Sequence, residues 1–585
     1  MKKITIPAIV LALGAILALS IFTNQTTIDL SGKWAFRKDP GNIGLAEGWQ
    51  GGLPSREGQT QKAGQGQTAA PGRGQKREIR LPGAIHTQGL GDKVSPQTKW
   101  ISGKLSGMWY TDPMYARYRT EDNMKIFDFL QPETYYVGAA WYERSIRIPK
   151  SFTGKRLTLS LERVHWESRL FVNGRPAETG EENQPPGACR SLATAHEYDI
   201  TGLVHAGRNT IVLRIDNSKI VETGRIPHST SDQTMAAWNG VIGNMHIRAE
   251  EALRITDVQV YPDIRERSAH VRVTVDNGTG ASVSLPLSGQ LSCYNTDAPY
   301  SERLVFRSSD GSEKTADRQG EPVFRSTDGM LVPPGPGNQA QELTVEVGES
   351  VYELTLPLGE KMQLWDEFRP ALYSLTLSFG RQAGRTARFG MREMGTDGRY
   401  ITVNGQRAHI RANLYCGESP LTGLPSMDLD WWKRLMLKHK EYGLNAIRFH
   451  SLCPPAQAFE AADEVGIYLQ PEVGEWSLFT TDAQEQFFME EAARIERAYG
   501  NSPSFALFAL GNEQRADTAR LRRFVLERQK DGRHLVSGKI NGKPDLPESD
   551  FYACAVLNGH PIRHHGGWPP KPENNLLFRV PPTTD

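Results

Sequence analysis

Two residues at the end of an apolar run are the first candidates for chemistry. In Asn501-Ser-Pro-Ser-Phe-Ala-Leu-Phe-Ala-Leu-Gly-Asn-Glu513 a turn leads into residues 505–510, and the run stops at Gly511-Asn512-Glu513. A short apolar run bounded by turn residues reads as a strand buried on both faces. Parallel α/β folds keep their reactive groups just past the C-terminal ends of such strands, which puts Glu513 where a proton could be given or taken. Asn512 beside it can hold a hydroxyl group and tighten on it as charge develops. Four more polar residues end apolar runs upstream: Arg448 and His450, then Glu472 and Glu475. An acid that protonates a leaving oxygen needs a second carboxylate to attack or to activate water. Two blander roles stay open: Arg448 as an internal ion-pair partner of Glu472, and His450 as a satisfied structural side chain.

The elements that must position these residues follow from the pattern around them. From about residue 396, strands and helices alternate at intervals of roughly thirty residues, as parallel βα units do. Ile401-Thr-Val-Asn-Gly405 starts a hairpin, and 408–411 is a predicted strand. Leu429, Trp432, Leu435, Met436, His439 and Tyr442 fall on one face of a helix over 428–442, closed by Gly443. Further strands are predicted at 445–450, 467–472, 505–510 and 534–539, with helices at 454–464, 481–499 and 517–530. Thr481 and Gln484 form a capping box, and Gly500 is the C-terminal cap of the helix they start.

Upstream, residues 27–250 read as short alternating strands with turn signals such as Asn173-Gly174, which predicts a sandwich; 51–77 is a Gly- and Gln-rich insertion. Residues 251–395 read as a second, immunoglobulin-like sandwich, with a polar loop at 306–342. The fold class is therefore multidomain β plus α/β, with two β-sandwiches followed by a (β/α)₈ TIM-barrel domain over 396–550 and an irregular tail over 551–585.

Composition excludes several functions. A net charge of +1 with 23% charged residues leaves no excess of either sign, so no nucleic-acid partner is expected. The five cysteines (Cys189, Cys293, Cys416, Cys453 and Cys554) are scattered with no CxxC pair, which argues against a zinc site or a disulfide framework. Adjacent His564 and His565 do not converge easily on one ion, and neither a metal nor a cofactor is expected. Met1-Lys-Lys3 followed by the apolar run 4–22 reads as a secretory signal, with an uncleaved anchor as the alternative. No other stretch is long and apolar enough to span a membrane, so an exported, periplasmic or cell-envelope location is expected.

The order of several motifs resembles glycoside hydrolase family 2, which includes β-galactosidases, β-glucuronidases and β-mannosidases. The resemblance is carried by Trp141-Tyr-Glu-Arg144, Trp238-Asn-Gly-Val-Ile-Gly243, Leu364-Trp-Asp-Glu-Phe-Arg-Pro-Ala-Leu-Tyr373 and Phe389-Gly-Met-Arg392. It continues through Val403-Asn-Gly405, Asn445-Ala-Ile-Arg448, and Ser502-Pro-Ser504 to Gly511-Asn-Glu513. It implies a jelly-roll sugar-binding-like domain over 27–250, an immunoglobulin-like domain and a (β/α)₈ barrel. It also implies retaining hydrolysis of β-linked carbohydrates with Glu513 as general acid/base. Arg448, His450, Glu472, Glu475 and Asn512 are then the expected substrate-binding set. The aromatic-rich stretch 109–142 is expected to be core, with a sugar-stacking surface as the alternative.

Three departures stand out. One residue separates Arg448 from His450, where the family commonly has two. Asn541-Gly-Lys543 matches the Asn-x-Lys of glucuronidases but falls too early in the barrel and reads as a turn. The family's nucleophile is a Glu on the seventh barrel strand, and only five strands are predicted before residue 540. Asp545, Glu548, Asp550 and Glu573 end no recognisable strand. The expectation is a barrel truncated within its C-terminal part, with a catalytically inactive carbohydrate-binding protein as the alternative to an enzyme.

Overall fold

The computed structural model describes residues 26–54, 77–98, 100–101, 111–124, 133–180, 184, 187–224, 227–232, 234–305, 307–308, 323–326, 342–380, 384–398, 400–419, 421–538 and 546–551. The expected signal at 1–22, Asn541-Gly-Lys543, Asp545, His564, His565, Glu573 and nearly all of the tail lie outside these residues, as do most of 51–77 and of 306–342.

The first stretch packs a four-stranded sheet against a seven-stranded one. The larger sheet is built around Ala139–Ile148 and Gly207–Asp216, which pair antiparallel along their whole length. Alternate residues point to one face of a strand, so Leu157, Leu159 and Leu161 of the small sheet meet Ile211, Leu213 and Ile215 of the large one in a common core. Trp141 and Tyr142 are fully buried, as the core reading expects. Burial obliges their polar atoms to find partners: Trp141 Nε1 donates to Asp39 Oδ2 at 2.9 Å, and Tyr142 Oη donates to Asn239 Oδ1 at 2.6 Å. Trp109, Tyr110, Phe127 and Phe129 of the same aromatic stretch lie outside the described residues. Gly240 has φ +141°, and a Cβ there would sit 2.2 Å from the Gly83 carbonyl oxygen. The Trp238-Asn-Gly-Val turn therefore requires its glycine.

The second stretch is also two facing sheets. Leu253–Asp263, Ser268–Asn277 and Gly348–Pro357 run antiparallel in one, and Val283–Tyr294, Leu372–Phe379 and Arg385–Phe389 in the other. Val271, Val273 and Val275 share a core with Leu375, Leu377 and Phe379.

The third stretch is α/β. Ala412–Tyr415, Ala446–Phe449 and Tyr468–Gln470 form one parallel sheet. Glu472–Phe479, Leu507–Ala516 and Leu535–Ser537 form another. A parallel bridge from Leu469 to Phe505 joins the two into one wall. The helices Leu429–Glu441, Ala456–Val465, Asp482–Tyr499 and Thr518–Arg528 alternate with these strands. The capping box at Thr481 and Gln484 is formed. None of the helices among the described residues is long and apolar enough to cross a membrane.

Several element boundaries differ from expectation for local reasons. The first parallel strand is Ala412–Tyr415 rather than 408–411, because Gln406–Ala408 is spent pairing antiparallel with Tyr400–Val403 across Asn404-Gly405. Both turn residues have positive φ, 53° and 75°, as a tight two-residue hairpin demands. The strand expected at 467–472 is split at Pro471, which has no N–H to give a ladder. Tyr442 is 83% exposed because the helix stops at Glu441 and leaves it out of phase with the buried Trp432, Met436 and His439. Gly500 is the C-terminal cap of its helix, as expected, and its N–H bonds the Glu496 carbonyl, but its φ of −60° is not left-handed. A Cβ on Gly500 would lie 2.3 Å from Arg533 Nη2, so close approach rather than φ requires glycine there.

Two of the sequence motifs turn out to be docking points between these stretches. Arg392 is buried, donates from Nη2 to the Phe505 carbonyl at 3.1 Å, and is pushed down to about 10 by burial. A Cβ on Gly390 would be 2.7 Å from the Pro503 ring. Asn501 bonds both ways to the second sandwich, accepting from Val260 N at 2.8 Å and donating to Val258 O at 2.8 Å. Phe389-Gly-Met-Arg392 and Asn501 thus seat the second sandwich on the turn that leads into the Glu513 strand.

Candidate active site

Glu513 lies inside a strand, not just past the end of one. Strand pairing continues to Ala516, so the expectation of a strand ending at Leu510 is corrected. The neighbouring strand Glu472–Phe479 draws the chain on, because its own ladder runs past the point where the apolar run stops. The pairing is interrupted twice. Glu472 pairs Ala509 and Glu475 pairs Gly511, so the first strand carries one extra residue, beside Gly474 at φ +123°. Trp476 pairs Asn512 and Leu478 pairs Arg515, so the second strand carries one extra residue, beside Glu513 at φ +47°. A β-bulge kinks its strand and re-aims a side chain. A glutamate with positive φ is uncommon, and left-handed backbone on a non-glycine residue costs of order 1–3 kcal/mol. The buried strand holds Glu513 there: Ala506 to Leu510 are all 1% exposed or less, while Glu513 itself is half-buried.

Around it the structure brings Arg448, His450, Glu472 and Asn512 together. Arg448 Nε donates to Glu472 Oε1 at 2.7 Å, and Arg448 Nη2 donates to Asn512 Oδ1 at 2.8 Å. The internal ion pair left open for Arg448 is therefore formed, with both partners buried. Burial raises the Glu472 carboxyl above its ordinary value, while Arg448, Ser451 and Gln470 act in the opposite direction. Glu472 is fully buried and committed to Arg448, so it braces the site rather than meeting a ligand. Asn512 also bonds the His450 imidazole, and His450 is pushed down to about 2 by burial first, then by Arg448 and His228. The ring is accordingly neutral. Glu475 contributes its backbone to the bulged strand, and its side chain lies outside the described residues. Of the later acids, Glu548 pairs with Arg522 and Asp550 accepts from Val536 N at 2.8 Å, so both are structural.

The sequence pattern did not reveal that the first sandwich reaches this site. Ser229 Oγ donates to the Gly474 carbonyl at 2.8 Å, and a Cβ on Gly474 would lie 2.5 Å from Ser229 Oγ. The His228 ring stands edge-on to His450, with centroids 5.1 Å apart. His228 Nδ1 bonds the Cys416 carbonyl at 2.8 Å, and Thr234 Oγ1 donates to the same oxygen. Cys416 in turn sits 3.7 Å from His450 Nδ1. His228 and Cys416 follow no motif, and only the fold brings them beside His450.

Residues 253–392 match the sequence model of glycosyl hydrolases family 2. Curated relatives include an exo-β-D-glucosaminidase of Amycolatopsis orientalis, 22% identical over 398 residues, which are 65% of this chain and 32% of that protein. Another is the exo-β-D-glucosaminidase of Streptomyces avermitilis, 23% identical over 444 residues, or 71% of this chain and 43% of that protein. The chain thus spans less than half the length of these two relatives. Among solved structures, the β-glucuronidase from Ruminococcus gnavus in complex with D-glucuronic acid superposes with a TM-score of 0.57 at 15% identity, covering 91% of this chain and 76% of that one. At that identity the superposition speaks for the fold alone. Residues 253–392 are thus similar in sequence to the family 2 glycosyl hydrolases, and the mostly β, multidomain architecture agrees with that similarity.

Proposed function

We propose that this chain contributes to a retaining glycosidase site acting on β-linked carbohydrates, with Glu513 as the general acid/base. The observation that carries the reading is the bulge at Glu513. It spends backbone strain on a half-buried glutamate within a buried strand, next to an Asn512 bonded by the Arg448 that pairs with Glu472. Strain of this kind persists where the surroundings over-determine it, and it clusters at functional sites. In the first step the Glu513 carboxylic acid gives its proton to the leaving glycosidic oxygen, and in the second it takes a proton from the attacking water. Asn512 is suited to a sugar hydroxyl adjacent to the bond that breaks. The nucleophile of such a reaction is a second carboxylate about 5–5.5 Å from the acid; Glu472 is fully buried with Oε1 bonded to Arg448, which suits it to bracing the site.

The amino-terminal sandwich is read as the jelly-roll, the middle one as immunoglobulin-like, and the parallel wall as part of a TIM barrel, supported by the sheet orders and the superposition. The basic and apolar residues 1–22 support an exported location. The test is a panel of aryl β-glycosides covering glucosaminides, glucuronides and galactosides. Release of the aryl alcohol, with the β-anomer appearing first by NMR, is the expected result. Retention of sugars on a glycan array with no turnover of any member of the panel would favour a carbohydrate-binding role instead.

A further inference from the structure

We propose that His228, Cys416 and His450 form a binding site for a thiophilic divalent cation, Zn²⁺ by ligand type, between the first sandwich and the parallel wall. One ligating atom from each residue lies within 4.8 Å of the other two. The Cys416 Sγ to His450 Nδ1 distance is 3.7 Å. Tetrahedral zinc with Zn–S of about 2.3 Å and Zn–N of about 2.0–2.1 Å sets sulfur and nitrogen about 3.6 Å apart, so this edge of the site is already at its working length. Three protein ligands of the Cys–His₂ type leave one position for water or another oxygen ligand, the pattern of an open zinc site.

Four further features fit a cation. The rings are not loose: His228 Nδ1 is held by the Cys416 carbonyl at 2.8 Å and His450 by the Asn512 side chain. A hydrogen bond of this kind fixes ring orientation in metal-bound histidines. The ligands come from three places: the first-sandwich loop, and the ends of the Ala412–Tyr415 and Ala446–Phe449 strands. Both histidines are buried and Cys416 is half-buried, so the site opens on the cysteine side. The Glu418 carboxylate bonds the Cys416 amide at 2.8 Å and adds negative charge beside the sulfur. Binding replaces the thiol proton, which leaves to solvent, with the metal. The scattered cysteines argued against zinc because none is paired along the sequence; here His228 and Cys416 are 188 residues apart.

The test is a Co²⁺ titration of the full chain after chelator treatment. The expected result is one equivalent bound, a thiolate-to-cobalt charge-transfer band, displacement by Zn²⁺, and a thermal midpoint that rises with free Zn²⁺ as mass action requires. Cys416→Ser is expected to lose the band. His228→Gln, which removes a ligand, is expected to weaken binding by more than the about 10- to 100-fold that loss of an outer-shell partner costs. Cys293→Ser, which removes a thiol buried in the second sandwich, is expected to keep both band and affinity. A parent protein without the band, a band that survives Cys416→Ser, or a thermal midpoint unmoved by Zn²⁺ would each overturn the proposal. Should Cys416→Ser fold poorly, unchanged affinity in His228→Gln would overturn it equally.

Discussion

At the scale of residues, Arg448 divides its donors between a carboxylate and an amide, and the two contacts have different consequences. The Glu472 contact is an ion pair with both partners out of water. Removing one partner strands the other charge, which costs about 3–5 kcal/mol. Glu472→Ala is therefore expected to lower the unfolding free energy by that amount in denaturant titration, and Glu472→Gln by less, since the amide oxygen can still accept from Arg448. Equal losses in both variants would show that the charge is immaterial. The run 501–513 made Asn512 and Glu513 legible as candidates, because an amide and a carboxylate that directly follow an apolar run contribute nothing to its packing. The bulge was not legible: it depends on how the Glu472–Phe479 strand pairs, which residue spacing within one segment does not encode.

At the scale of elements, the helix Ala456–Val465 is tied to its neighbours through Asp463. Its Oδ1 accepts from Ser504 N at 3.0 Å, and its carbonyl accepts from Trp365 Nε1 at 2.8 Å. Burial pushes the Asp463 carboxyl up to about 7 from an ordinary 3.8. The folded chain then holds a proton here that the unfolded chain releases above pH 3.8. Its stability contribution is full below that pH and is lost as pH rises through about 7. Asp463→Asn keeps the acceptor and removes the titration. The variant is expected to gain on the parent between pH 4 and 8 by at most about 4 kcal/mol, at 1.36 kcal/mol per pKa unit. Parallel stability curves for the two proteins across that window would contradict this. Helices were the most legible elements: the apolar face of Leu429–Glu441 and the capping box of Asp482–Tyr499 are local signals. Strand edges were less so, since Pro471 and the 400–408 hairpin redirect the chain through pairing with distant partners.

At the scale of the whole molecule, the sandwiches build the site as well as flank it. Glu491, fully buried on the Asp482–Tyr499 helix, accepts from Leu192 N at 2.8 Å, Ala193 N at 2.9 Å and Ser191 Oγ at 3.0 Å of the first sandwich. Arg163 returns the link, donating from Nη2 to Cys453 O at 2.9 Å. Hydrogen bonds to a charged group contribute about 1.5–3 kcal/mol each at most. Glu491→Gln is expected to lower the thermal midpoint and to expose the 188–194 segment to limited proteolysis before global unfolding. An unchanged cleavage pattern would show that the two stretches are held together by other contacts. The order of architecture, β then β then α/β, was legible from the change in hydrophobic period near residue 396. The contribution of His228 and Ser229 to the site was not, because a loop of the first sandwich carries no sign of what it will touch.

If Glu513 moves the proton, its loss changes how the rate depends on the leaving group. With a β-glycoside of an acidic phenol, which needs no protonation to depart, Glu513→Gln is expected to form the glycosyl-enzyme at close to the parent rate and to turn over faster when azide is added. With a glycoside of a poor leaving group the same variant is expected to be slower by about 10²–10⁴-fold. A parent and a Glu513→Gln protein with the same leaving-group dependence, and no response to azide, would contradict it.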